Sequence, residues 1–206
     1  MKKHNLKIQC NKMKKIMLFF CAALALLPVN GQTAGEHMTF KGVPINGSLT
    51  DFTAKMKQKG FAHLGSQNGI AVFEGEFAAQ KECTIAVLCS KSTNTVSRVM
   101  VIFPKCETWS LLYGRYGTLK ELLTQKYGEP SENMEVFEGL YKPDDDKDRM
   151  SAVKGDRCKY ISVWGTSKGD VELAIDHEGY SRCFVRLTYS DKINMEKMTN
   201  AAIDDL

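Results

Sequence analysis

Apolar residues recur along this chain with two periods, and the switches between those periods divide it into elements. At 118–128, Leu119, Leu122, Leu123 and Tyr127 fall at helical spacing, so one face of the segment is apolar. Thr118 followed by Glu121 has the form of a capping box. Gly128 suits the left-handed turn that ends a helix, and Pro130 forbids continuation. The spacing therefore predicts a helix over 118–128. A matching stretch lies at 48–60, with Ser48 and Asp51 as cap and partner, Leu49, Phe52 and Met56 on one face, and Gly60 as the stop. Gly47-Ser48-Leu49-Thr50-Asp51-Phe52 matches Gly117-Thr118-Leu119-Lys120-Glu121-Leu122 class for class.

Runs of period two follow each helix. The first helix leads to strands at 69–77, 81–90 and 95–103; the second leads to a short one at 134–137 and then to 158–165, 170–176 and 181–189. Both faces of 95–103 are apolar, which places that strand centrally in its sheet. Trp109, Leu112, Tyr113 and Tyr116 predict a separate short helix ahead of 118–128, packed through its rings. Residues 141–156 are charged and broken by Pro143 and Gly155, and read as an irregular insertion. The segment 32–38 reads as a loose lead, 39–47 as extended chain and 194–206 as a terminal helix. The predicted fold class is α+β: a duplicated helix-strand-strand-strand unit forming an antiparallel sheet with helices packed on one face. Its halves lie at about 39–105 and 107–192, within one domain over 32–206.

The N-terminus changes what the charge means. The chain has 206 residues and a formal net charge of +4, but residues 1–31 hold six lysines and no acid. Without them, 28 basic residues become 22 against 24 acidic ones, a net charge of −2. A mildly acidic chain lacks the clustered basic footprint of a nucleic-acid binder. The lysines, the apolar run at 16–27 and the small residues ending at Gly31 have the three parts of a secretory signal. The apolar run is too short for a bilayer span, which needs about 20 residues. Cleavage is placed after Gly31, and Met13 is as good a start as Met1. The chain is thus expected to be exported, periplasmic or secreted, with no stable membrane anchor after cleavage. Phe20, immediately before Cys21, excludes a lipobox. Cys83, Cys89, Cys106, Cys158 and Cys183 remain; five is odd, and the sequence leaves any pairing among them open.

Candidate chemistry is sparse. Asp144, Asp146 and Asp148 alternate like the first ligands of a calcium loop, but Arg149 and Gly155 stand where that loop needs its glycine and its glutamate. His37, His63 and His177 show no metal-binding spacing, and no nucleophile elbow or phosphate loop occurs. No catalytic residue, metal or cofactor is assigned. On the strand at 158–165, Tyr160, Ser162 and Trp164 share one face and Ile161 and Val163 the other. The aliphatic face is expected under the helices, leaving the rings outward; a second buried layer would account for the same pattern. Tyr160, Trp164 and the hairpin residue Tyr180 are the candidate binding residues, because such rings bury much area at small entropic cost.

The helix-plus-strands plan, with its repeated Gly-[Ser/Thr]-Leu-x-[Asp/Glu] stretch, resembles the tandem repeat of the beta-lactamase inhibitor protein and related envelope modules. The stretch Phe40-Lys41-Gly42-Val43-Pro44-Ile45-Asn46-Gly47 resembles the start of uncharacterised secreted proteins of gut anaerobes. These likenesses imply an architecture and a compartment; no inhibitory residue carries over. The expected function is a non-enzymatic exported binding module for a protein or glycan partner. Two other readings stay open: a secreted hydrolase with a Cys/His or carboxylate site, and a self-associating structural envelope protein. Amino-terminal sequencing of exported protein is expected to begin at Gln32; a chain that retains residues 16–27 would contradict the signal assignment.

Overall fold

The computed structural model describes residues 36–139, 142–204 and 206. The segment read as a secretory signal, its expected cleavage point, Cys10 and Cys21 lie outside the described residues. Within them the chain forms four helices and ten strands. Thr39–Phe40 (β1) and Val43–Pro44 (β2) make a small hairpin. Leu49–Gln58 (α1) precedes Ala62–Gln67 (β3), Ile70–Phe77 (β4), Gln80–Ser90 (β5) and Thr95–Ile102 (β6). Trp109–Tyr127 (α2) leads to Glu132–Phe137 (β7), Asp146–Lys154 (α3), Cys158–Thr166 (β8), Gly169–Glu178 (β9), Arg182–Asp191 (β10) and Lys192–Asp204 (α4). Strands β3 to β10 form one eight-stranded antiparallel sheet in the order β3-β4-β5-β6-β10-β9-β8-β7.

One face of this sheet is the core. Phe73, Ile85, Val87, Val99, Val101, Val185, Leu187, Leu173 and Trp164 meet Phe52 and Met56 of α1, Leu112, Tyr116 and Leu119 of α2, and Met150 and Val153 of α3 in a single buried cluster. As expected, 95–103 is central: β6 pairs with β10 from Arg186↔Ile102 to Ser190↔Arg98, and this pairing joins the two groups of strands. Ser48 caps α1 by accepting from the Asp51 amide at 3.1 Å.

Four expectations are corrected. The helix at 118–128 begins ten residues earlier than its capping box implies. Thr108 is the N-cap of one continuous α2, and the Thr118 hydroxyl instead donates to the Gly114 carbonyl inside it. Gly114 and Gly117 weaken the helix by about 1 kcal/mol each. Burying Leu112, Tyr116 and Leu119 across that region stabilises it by about 2 kcal/mol per side chain, so packing prevails. The described part of the insertion at 141–156 contains α3. Asp145 caps it and Met150, Ala152 and Val153 are buried; only these three apolar positions in a charged sequence face the core. Strand β3 was not anticipated, because this edge strand is mostly exposed. Its signal was the Asn68-Gly69 pair, which joins β3 to β4 with φ of 53° and 80°, the conformation of a two-residue hairpin turn.

The fourth correction concerns the lead at 32–38, whose described end is held tightly. Asp191, fully buried, accepts from the Met38 amide at 2.7 Å and the Asn194 amide at 2.9 Å, and lies 3.0 Å from His37 Nδ1. Asn194 in turn donates to the carbonyls of Ile45 and Val96, at 2.9 and 3.0 Å. Close by, Gly169 has φ of +140°, and a Cβ there would lie 2.0 Å from the Ser190 carbonyl oxygen, so only glycine fits.

Replacing Asp191 by Ala leaves several buried donors without an acceptor. Urea unfolding of Asp191→Ala is expected to show a loss of about 3 kcal/mol. Lys105→Ala, which breaks the exposed Lys105–Glu107 pair, is expected to leave the unfolding curve nearly unchanged. Equal small losses for both variants would remove Asp191 from this role.

Candidate functional site

The three sequence-predicted binding residues separate in the structure. Trp164 is 1% exposed, and its indole N–H donates to the Gly128 carbonyl at 2.9 Å. Ser162 on the same face is fully buried: the Tyr116 hydroxyl donates to it at 2.7 Å, and it donates on to Asn133 Oδ1 at 2.8 Å. The expected face assignment of β8 is therefore reversed. Tyr160, Ser162 and Trp164 face the helices, where each polar tip of Ser162 and Trp164 finds a partner, while Ile161 and Val163 face away. Tyr180 stands alone in the β9–β10 turn, 84% exposed, and joins neither of the surfaces described next.

The first surface is the sheet face opposite the core. Successive rows of its outward positions follow from the register: Val72, Ala86, Met100, Thr188, Glu172, Val163 and Glu132 in one, and Glu74, Thr84, Ile102, Arg186, Ala174, Ile161 and Met134 in the next. Helices α1 to α3 contribute their buried side chains to the other side. Ile70, Met134 and Val136 are exposed outright, at 39%, 50% and 45%. Near the middle, Arg186 donates to Asp176 at 2.7 Å, Glu172 at 2.9 Å and Thr188 at 2.9 Å. That network holds a charge flat among aliphatic neighbours. Seven steps between strands span about 33 Å, using about 4.8 Å per step.

The second surface is a groove of about 740 Å³ between α2, α3, β7 and β8. Trp109, Tyr113, Phe137 and Tyr160 line it together with Glu135, Lys142 and Arg149. Tyr160 thus belongs to a site, as does the Trp109–Tyr113 pair that sequence reasoning assigned to helix packing. Trp109 and Tyr113 stack at 5.6 Å, Tyr160 stands nearly perpendicular to both, and Phe137 closes on Trp109 at 5.0 Å. The run of aspartates fixes this geometry. Asp146, from the first turn of α3, accepts from the amides of Trp109 and Ser110 at the start of α2, at 2.8 and 3.2 Å, and from the Ser110 hydroxyl at 2.8 Å. A carboxylate at a helix start is stabilised by the free amides and the helix dipole. Burial, more than any neighbouring charge, raises the Tyr160 pKa, so its phenol stays neutral.

The cysteines and histidines do not converge. All five described cysteines are free thiols. Cys106 and Cys183 face each other across an isolated bridge, and Arg115 Nη1 donates to the Pro104 carbonyl and, at 3.1 Å, to Cys106 Sγ. Desolvation outweighs the arginine and raises the Cys106 pKa; it pushes Cys158 to about 12. Cys183 is the cross-strand neighbour of His177, but the imidazole is engaged elsewhere, with Nδ1 2.9 Å from the Gly179 carbonyl and Nε2 3.0 Å from Asp156. His63 bonds Ser66 at 2.9 Å and lies against Phe73. Among the described residues, no hydrogen bond joins a histidine to a cysteine, and no group of three His, Cys, Asp or Glu is placed to hold a metal.

Both acceptors of His177 favour a ring that donates from both nitrogens. The Gly179 carbonyl, then Asp156, raises its pKa above the ordinary 6.5. The resulting stabilisation is complete below pH 6.5 and is lost as pH rises through the raised value. Titration of the His177 ring by NMR is expected to give a midpoint above 6.5, moving down in Asp156→Asn; a midpoint at or below 6.5 in the intact protein would contradict the geometry. No protein-family model, curated protein or solved structure matches this chain.

Proposed function

We propose that the protein is an exported, non-enzymatic module that binds a protein partner across the uncovered sheet face. One observation carries this reading: on the sheet face opposite α1 to α3, Val72, Ala86, Met100 and Ile102 lie together on one side of the Arg186 network, and Ala174, Ile161, Val163 and Met134 on the other. Apolar side chains clustered outside the core are costly to leave in water and are characteristic of interaction surfaces. The chemistry favours protein over glycan here. Phe184 is the only ring at the outward positions of β5 to β10, and it is buried. Sugar stacking therefore has no platform on this face, whereas methyl and methylene groups match the apolar centre of a protein interface. The width of about 33 Å is that of a standard interface, near 800 Å² per partner. The Arg186 network would supply register, since its acceptors Glu172 and Asp176 keep free lone pairs for a partner's donors.

The repeat belongs to the same reading. Strands β3 to β6 lie on one side of the β6–β10 seam and β7 to β10 on the other. Helix α1 packs on the first set and α2 on β8, β9 and β10. This arrangement supports descent from a duplicated unit and the architectural likeness to the beta-lactamase inhibitor protein. Export rests on the 1–31 segment.

The test is retention of an envelope protein on the immobilised chain, compared with a Met100→Lys, Ile161→Lys double variant. Both side chains point away from the core, so the variant is expected to keep the wild-type circular-dichroism melt. It should lose the partner by at least about tenfold, the effect of roughly 1.4 kcal/mol. A partner held equally by both proteins, or none held by either, overturns the reading.

A further inference from the structure

The groove between α2, α3, β7 and β8 opens on the helix side of the sheet and shares only the edge residue Val136 with the protein-binding face. We propose that it is a separate binding site for an acidic sugar, a pyranose ring bearing a carboxylate. The walls suit the ring. Tyr113 is 47% exposed, lies parallel to Trp109 at an interplanar angle of 16°, and meets Tyr160 at 88° with centroids 6.0 Å apart. Together they make a corner of two aromatic surfaces, one for the flat C–H face of a sugar and one for its edge. Tyrosine supplies such area with few rotatable bonds and adds a hydroxyl for the sugar's own hydroxyls.

The rim suits the carboxylate. Lys142 and Arg149 both line the groove. Among the described residues no carboxylate lies within ion-pair distance of either. The acid that lines the groove, Glu135, is already neutralised by Lys120 at 2.5 Å. The groove therefore has two cations beside its rings that have no close carboxylate partner among the described residues. Arginine offers a planar fork to a carboxylate, and lysine adds a second charge. A neutral sugar would leave both cations unused, and a bare anion would leave the rings unused.

The site is also pre-formed. Asp146 fixes the start of α2 to the first turn of α3, so Trp109 and Tyr113 on one helix keep their position relative to Arg149 on the other. Little ordering is then needed on binding. A volume of about 740 Å³ lies within the usual range for small-ligand sites and has room for more than one sugar ring.

The experiment is isothermal titration of the intact protein with tri-galacturonate, its neutral methyl ester, and tri-glutamate. The acid is expected to bind at least about tenfold more tightly than the ester, and Arg149→Gln and Tyr113→Ala are each expected to weaken it by about tenfold or more. Arg149→Gln should keep the wild-type melting temperature, and Tyr113→Ala, which loses its stacking on Trp109, should lower it slightly while staying folded. Arg149→Lys should restore part of the loss. Four results would each overturn the proposal: no heat with the acid at about 5 mM, equal binding of acid and ester, equal binding of tri-glutamate, or unchanged binding by both variants.

Discussion

The fold is closed by one buried carboxylate. Asp191 ends β10 and gathers the amides of Met38 and Asn194 together with His37, while the Asn194 side chain reaches the carbonyls of Ile45 and Val96. These groups come from the start of the described chain, the β1–β2 hairpin, β6 and α4. They meet at the end of the β6–β10 pairing, the one ladder that joins the first group of strands to the second. A charge out of water is tolerated only when its hydrogen bonds are made, and removing either side of such a set costs more than the set contributes. The polar cluster therefore specifies how the first described residues and the β10–α4 junction close on the seam, while the apolar core supplies most of the stabilisation.

That closure leaves the sheet with two unlike faces. Helices α1 to α3 bury their apolar sides on one, and the other keeps aliphatic side chains around the Arg186 network. The two surfaces offer different chemistry. The open face is broad, aliphatic and poor in rings, which favours a protein. The groove is narrow, aromatic and cationic, and it forms where α2 and α3 are held together by Asp146 beside β7 and β8. A single chain can thus present a flat surface and a recessed site without either disturbing the core.

Much of the scaffold is legible in local pattern. The period-two runs place β4, β5, β6, β8, β9 and β10 within a residue or two of their observed ends, and the Ser48 cap sits where its spacing with Asp51 puts it. The misreadings share a cause, since each turned on a choice that packing makes. Thr118 and Glu121 have the form of a helix start, yet the seam Leu112, Tyr116, Leu119, Leu123 is continuous across them and buried. Asp145 and Asp146 look like a solvated charge run, yet one caps its own helix and the other caps a helix that starts 37 residues away in sequence. Sequence spacing carries no information about so distant an acceptor.

The residues of this chain determine its antiparallel strands, its helix caps and its α+β class, because period, capping and turn chemistry are local properties of neighbouring residues. The tertiary structure alone decides which face of β8 is covered. Tyr160, Ser162 and Trp164 alternate with Ile161 and Val163, and both sets are consistent with burial. The choice falls to the Gly128 carbonyl, which receives the Trp164 N–H, and to the Tyr116 hydroxyl and Asn133, which satisfy Ser162; all three lie outside the strand. The exposed face is aliphatic, and Tyr160 lines a groove, because polar tips are buried only where distant parts of the chain provide their partners.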